Sequence, residues 1–181
     1  MNPQTFFEEA RKTVFRGVVH PHQVEGCNAI FAAWNGSSDA RQIAYVLATA
    51  YHETAFTMQP ISEYGKGRGH SYGAINPNTG HAYYGRGLVQ LTWIYNYRDM
   101  SPVVGSDLVH NPDAALELPI AAKIICYGME HGSFTGRKLS DFFDKDKADW
   151  INARTIINGH DRAEQIAEYG HQFHAALVAA Q

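Results

Sequence analysis

Nowhere in this 181-residue chain do 18 consecutive apolar residues occur, so the sequence offers no membrane-spanning helix and no stable membrane association is expected. Cysteine is scarce. Cys27 and Cys126 are far apart in sequence and read as two buried reduced thiols rather than a disulfide framework. Charge of one sign is scarce too: 15 Lys and Arg against 18 Asp and Glu give a formal charge of -3, and hence no electrostatic case for nucleic acid as a partner. Ten histidines would nevertheless turn the chain cationic well below neutral pH. There is no internal repeat, low-complexity tract or linker, and a 45% hydrophobic content suffices for one domain with a sizeable core over 1–181. Met1 to Arg16 lacks the basic-then-apolar order of a secretory leader and reads as an amphipathic, mixed-charge helix. Something other than a leader is then expected to carry the protein to any substrate outside the cytoplasm.

Two motifs of metal and phosphate chemistry fail. His52-Glu53 would open HExxH, but position 56 is Phe56. His70 and His81, flanking a Gly-rich segment, are the remaining material for a zinc set, as in an amidase. Gly65-Lys66-Gly67-Arg68-Gly69 lacks both the Gly-Lys-Ser/Thr ending and the following helix of a phosphate loop. No metal and no cofactor is expected.

What the sequence does contain is helical periodicity. Asn2-Pro3 signals a cap, and Phe6, Phe7, Ala10 and Val14 continue a helix to about Gly17. A second helix runs from Pro21 to Trp34 and stops at Asn35-Gly36. Ser37 and Ser38 can cap a third, in which Ile43, Val46, Leu47, Ala50 and Tyr51 form an apolar stripe. From Gln59 to about Leu91 the period vanishes among glycines, which predicts a small β lobe carrying Glu63, with Pro77-Asn78-Thr79-Gly80 as a turn. Helices are then expected near Trp93–Met100, from Pro119 to near Gly132, over Ala148–Ile157 and from Asp161 or Arg162 to Ala180, with short turns at Pro112–Leu116 and Leu139–Phe143. The fold class is mainly α (α+β), with around 65% helix by this reading.

Glu53 falls in the last turn of the third helix, where the macrodipole disfavours a carboxylate, so a purely structural choice would be Lys or Arg. Partial burial against Tyr51, Phe56 and Met58 would favour its protonated form, the form that general-acid cleavage of a glycosidic bond requires. The bland alternative is a glutamate hydrogen-bonded to the β lobe. Glu63, ten residues on, could stand on the opposite wall of a cleft as the second carboxylate, or simply be solvated. Tyr83, Tyr84, Tyr95, Tyr97 and Trp93 supply flat faces, and Gln90, Thr92 and Asn96 supply hydrogen-bonding groups, although aromatic stripes more often belong to a core.

The run His52-Glu53-Thr54, the run Tyr83-Tyr84-Gly85-Arg86-Gly87-Leu88-Val89-Gln90-Leu91-Thr92, then Tyr95-Asn96-Tyr97 and Ile156-Ile157-Asn158-Gly159 together resemble family 19 glycoside hydrolases, above all the compact bacteriophage endolysins of that family. The resemblance extends over roughly Ala40 to Leu177. It implies a lysozyme-like helical domain with a small β-hairpin lobe and inverting hydrolysis of β-1,4 bonds between N-acetylated amino sugars. Glu53 would be the general acid, Glu63 the general base and Thr92 the hydroxyl that holds the attacking water. Tyr84, Gln90, Tyr95, Asn96 and Asn158 would be substrate-side groups, together with Arg162 and Arg86, with bracing of the lobe near the acid as the favoured role of Arg86. Plant members read HETTGG where this chain has His52-Glu53-Thr54-Ala55-Phe56-Thr57, and they space the two carboxylates about twice as far apart in sequence. The shortened loops suit a branched wall glycan, so the implied function is a peptidoglycan muramidase acting as a monomer on glycan strands. The implied route is from host cytoplasm to periplasm by release through a holin, with no separate wall-binding domain. A chitinase, a non-catalytic sugar-binding module and a zinc amidase are the alternatives.

Overall fold

A computed structural model describes residues 1–181 and shows a mainly α protein, with 52% of the chain in helices and two small antiparallel sheets. The helices are α1 (Pro3–Lys12), α2 (Pro21–Ala33), α3 (Ala40–Glu53), α4 (Ile94–Val104), α5 (Leu118–His131) and α6 (Ala163–Ala179). Strand β1 (Ile61–Ser62) pairs with β2 (Arg86–Gly87), Ile61 opposite Gly87 and Ser62 opposite Arg86. Strand β3 (Phe143–Asp144) pairs with β4 (Lys147–Ala148). Short 3-10 turns lie at Ser71–Gly73, Pro112–Leu116, Leu139–Asp141 and Asn152–Ile156.

The central element is α3. Its cap is Asp39, whose carboxylate accepts from the Arg41 N–H at 3.0 Å, while Ser37 acts one step earlier by accepting from the Asp39 N–H at 3.1 Å. Rather than one apolar stripe, α3 shows burial on every face from Gln42 to Tyr51. The reason is its position: α6 packs along it, and α5 also reaches it. The polar groups so buried are satisfied locally, Gln42 Nε2 donating to the Phe143 carbonyl and the Thr49 hydroxyl to the Tyr45 carbonyl, both at 2.9 Å. One hydrophobic cluster of 44 residues extends from Phe6 to Ala180, so both ends of the chain belong to the same core.

Where α3 ends, Thr54 is fully buried, donating to the Ala50 carbonyl and accepting from the Met58 N–H. Ala55, Phe56 and Met58 then take positive φ values of 50°, 72° and 57°, which turns the chain sharply after Glu53. Helix α2 abuts that turn because position 26 is glycine: a Cβ there would stand 2.0 Å from the Met58 carbonyl oxygen.

Several elements differ from expectation. Helix α1 ends at Lys12, five residues short of Gly17, because the chain turns through Arg16 and Gly17 with positive φ. The stretch Ala148–Ile157 is not an α-helix. The Asp149 carboxylate accepts from both the backbone and side-chain N–H groups of Asn152, which fixes a 3-10 turn, and Trp150 is drawn edge-on to Phe143 at 4.8 Å. The β3–β4 hairpin was not foreseen, since Asp144-Lys145-Asp146-Lys147 has no glycine or asparagine to signal its turn. Cys27 and Cys126 are both free and buried; burial pushes both thiols up, that of Cys126 to about 12, so they stay protonated.

Candidate active site

Glu53 is the last residue of α3, and its Oε1 lies 2.6 Å from Nη1 of Arg154. Arg154 sits on the Asn152–Ile156 turn and is only 4% exposed; its Nε donates to the Asp161 carbonyl at 3.1 Å. The expectation of an apolar setting for Glu53 is thereby corrected, because its first neighbour is a guanidinium. Glu53 is 17% exposed and its Oε2 has no hydrogen-bond partner in the protein. Oε2 is therefore the oxygen on which a transferable proton can sit, with Arg154 donating to Oε1 in either protonation state. His52, the preceding residue, has its Nδ1 buried without a partner. Burial holds the His52 ring below its ordinary 6.5 against the opposing pull of Glu53, and Arg154 reinforces the effect of burial.

Glu63 follows β1 directly. Its backbone N–H continues the ladder to the Gly85 carbonyl at 2.7 Å, and its carboxylate is held at both oxygens. The Tyr72 hydroxyl donates to Oε1 and the Gly85 N–H to Oε2, each at 2.9 Å. Burial, and then the bond to Glu63, push the Tyr72 hydroxyl above its usual 10, so it stays a donor. One lone pair on each Glu63 oxygen remains free to accept a proton from water.

Residues distant in sequence meet around a small cavity. A cavity of about 100 Å³ is lined by Val89, Gln90, Leu91, Thr92, Asn96, Phe134 and Ile157. At one end Gln90 packs on Gly85, the donor to Glu63, and its Nε2 donates to the Ile61 carbonyl at 3.1 Å. At the other end Ile157 leads back to the turn bearing Arg154, the partner of Glu53. The Thr92 hydroxyl makes no hydrogen bond to the protein, whereas Asn96 donates to the Thr92 carbonyl at 2.8 Å. Tyr95 is exposed and stacks beside Trp93.

The remaining expected substrate-side residues do not line this cavity. Arg86, expected to brace the lobe, is 4% exposed, donates to Asp113, to the Ala82 and Tyr84 carbonyls and to the Tyr97 hydroxyl, and lies 3.6 Å over the Tyr84 ring, so it is not open to substrate. It braces the β lobe against the Pro112–Leu116 turn and takes the Tyr84 ring with it. Burial pushes the Tyr97 hydroxyl up to about 12, so it donates to the Tyr84 carbonyl while accepting from Arg86. Asn158 is exposed, its Oδ1 accepting from the Gly159 N–H. Arg162 lines a different, wider hollow of about 420 Å³ with Ile151, His160, Glu164 and Gln165. The groups missed from sequence are Arg154, Tyr72 and the Gly85 N–H. Arg154 did carry a signal, since an arginine between Ala153 and the apolar pair Ile156-Ile157 needs a partner if that stretch is buried. No three His, Cys, Asp or Glu side chains converge as a metal site.

Two glutamates, each held by its own donors, are the groups that acid/base hydrolysis of a glycosidic bond requires. The family described as "Chitinase class I" matches residues 25–127, and the chain belongs to it, that is, to the family 19 glycoside hydrolases. The match contains Glu53, Glu63 and Thr92 and ends before Arg154. Endochitinase At2g43610 of Arabidopsis thaliana is 37% identical over 93 residues, covering 51% of this chain and 33% of that protein. Endochitinase CH25 of Brassica napus is 48% identical over 44 residues, covering 24% of this chain and 14% of that protein. The chain thus spans a third or less of the length of these curated relatives. Among solved structures, chitinase C from Streptomyces griseus HUT6037 superposes with a TM-score of 0.67 at 21% identity, covering 98% of this chain and 76% of that one. The class IV chitinase from Zea mays gives 0.59 at 22% identity, covering 94% and 84%. At such identities the superpositions establish the fold.

Proposed function

We propose that the protein hydrolyses β-1,4 glycosidic bonds of peptidoglycan by inverting general acid/base catalysis, as a lytic muramidase. The observation that carries the reading is that both family-matched glutamates are held by dedicated donors, Glu53 by Arg154 and Glu63 by Tyr72 and the Gly85 N–H. Glu53 protonates the leaving glycosidic oxygen from Oε2, and Glu63 takes a proton from a water that attacks the opposite face of the sugar. The free Thr92 hydroxyl helps hold that water, while Gln90, Asn96, Tyr95 and Asn158 meet the sugar substituents. After turnover Glu53 is ionised, and its ion pair with Arg154 stabilises that state until it is reprotonated.

Peptidoglycan is favoured over chitin by Lys66 and Arg68, which are exposed, unpaired and borne on the glycine-rich turn next to Glu63. Chitin is uncharged, whereas wall glycan carries carboxylates on its lactyl and peptide branches. Chitin is the second reading, supported by the names of the relatives. In a host cell the enzyme would reach the wall through a holin. Mass spectrometry of digested peptidoglycan tests the proposal: new reducing ends on N-acetylmuramic acid are expected. Ends on N-acetylglucosamine, or free amino groups, would overturn it, and rapid cleavage of unbranched chito-oligosaccharides would favour the chitinase.

A further inference from the structure

Apart from the groups that handle protons, the segment that follows α5 touches two parts of the site at once. Phe134 and Thr135 are consecutive residues on it, with different partners. Phe134 lines the cavity that contains Thr92 and Asn96. Its ring rests against α5 at a place that only glycine leaves open, since a Cβ at position 128 would stand 2.2 Å from it. Thr135 reaches another element. Its hydroxyl is shared between the Thr155 carbonyl at 2.7 Å and the Ile156 carbonyl at 3.0 Å, on the turn that carries Arg154.

Both contacts are more specific than a surface loop requires. Thr135 is exposed and could bond to water, yet it donates across 20 residues to the end of a separate turn. The carbonyls it meets are those that a 3-10 turn leaves unsatisfied where it ends, so the hydroxyl is a cap supplied from outside. The hydroxyl is also aimed, because it accepts from the Arg137 N–H at 3.4 Å. The segment behind it is closed on itself. The Gly136 N–H donates to the Gly132 carbonyl at 2.8 Å, and the two glycines take φ values of 83° and 75° that few other residues could hold.

We infer that Thr135 is a positioning residue for catalysis: with Phe134 it forms a clasp that holds the Arg154 turn, and through it Glu53, at a fixed distance from the cavity containing Thr92. The inference deepens the proposed hydrolysis and rests on it. Arg154 grips Glu53 at 2.6 Å from a turn of only five residues, whose 3-10 hydrogen bonds are poorer than those of an α-helix. Such a turn needs an external hold. An inverting reaction places acid and attacking water on opposite faces of one sugar, so a shift of about 1 Å between the two sides lowers the rate without weakening substrate binding.

Thr135→Val keeps the shape and removes the hydroxyl. The expected result is a kcat on glycan about tenfold lower, with KM within about twofold and a melting temperature within about 4 °C of the wild type. Thr135→Ser retains the hydroxyl and should keep roughly half of kcat or more. The effect should also depend on Arg154. In an Arg154→Lys background, where the guanidinium fork is gone, adding Thr135→Val should lower kcat by about twofold or less. A merely structural hydroxyl would lower activity only in step with folded protein, and its effect would multiply with that of Arg154→Lys; either result would overturn the clasp.

Hydrogen exchange reads the same contact without turnover. The Ile157 and Asn158 N–H groups both donate to the Arg154 carbonyl at 3.1 Å, and in Thr135→Val they should exchange about tenfold faster or more. Unchanged exchange would overturn the clasp even if activity fell. Should exchange accelerate while the wild-type protein releases no reducing ends from any glycan, the hydrolytic reading falls and the clasp on the Arg154 turn stands.

Discussion

At the scale of single residues, the site depends on what each glutamate oxygen meets. In Glu53→Gln the amide oxygen can still accept from Arg154 Nη1, so the fold should hold within about 2 °C of the wild-type melting temperature. What is lost is the proton. Cleavage of glycan should fall by about 10²- to 10⁴-fold, and unchanged lysis would exclude Glu53 as the acid. Arg154 separates position from charge. Arg154→Ala leaves a mostly buried carboxylate without its partner, on the order of 3 kcal/mol in stability, readable as a lower denaturation midpoint. Arg154→Lys keeps the charge, but one ammonium cannot reproduce the fork that holds Glu53 and the Asp161 carbonyl together. Near-wild-type stability with at least a tenfold loss of kcat is expected. Full activity in the lysine variant would show that Arg154 supplies charge alone.

At the scale of elements, the acid is placed by the docking of α2 on the turn that ends α3. Gly26→Ala drives a methyl group into the Met58 backbone, which flexible side chains cannot relieve, so a loss of about 3 kcal/mol is expected, with activity falling beyond the loss of folded protein as Glu53 shifts. On the β lobe, Lys66→Glu with Arg68→Glu reverses the charge of the turn beside Glu63. Digestion of peptidoglycan should slow about tenfold or more at low salt and less at 0.15 M, while cleavage of uncharged chito-oligosaccharides should change little. These elements differ in how legible they were. Helices α3, α5 and α6 and the positions of Glu53 and Glu63 could be read because apolar periodicity and local motifs are encoded within a few residues. The partners of those glutamates could not. Arg154 reaches Glu53 across 101 residues, and the donor from position 85 is a backbone N–H that no side chain advertises. The bracing role of Arg86 could be read from its motif, but its anchors Asp113 and Tyr97 could not, since they come from two other elements.

At the scale of the whole molecule, the histidines decide how the fold responds to acid. With a formal charge of -3 and ten histidines, the chain becomes cationic as pH falls, but only some of its imidazoles resist protonation. His52, against Glu53 and Arg154, and His174, on α6 near Asp39 and Arg41, both lie below the ordinary 6.5, in each case first because of burial. The unfolded chain therefore takes up protons at about 6.5 while the folded chain does so only lower. Across that interval the folded state binds fewer protons, so these two groups contribute stability above pH ~6.5 that is lost as the pH drops through their folded values. Asp39 is held low by its bond to Arg41, and its contribution is lost only further down, below its ordinary 3.8. Melting curves at pH 7.5, 6.5, 5.5 and 4.5 should thus show the first decline below about 6.5, ahead of any carboxylate contribution. His174→Gln is the informative variant, because His174 is remote from both glutamates and glutamine cannot charge. Its melting temperature should depend less steeply on pH across this range than that of the wild-type protein. An unaltered slope would mean that His174 is protonated in the folded state as readily as in the unfolded one, leaving His52 at the acid to account for the decline.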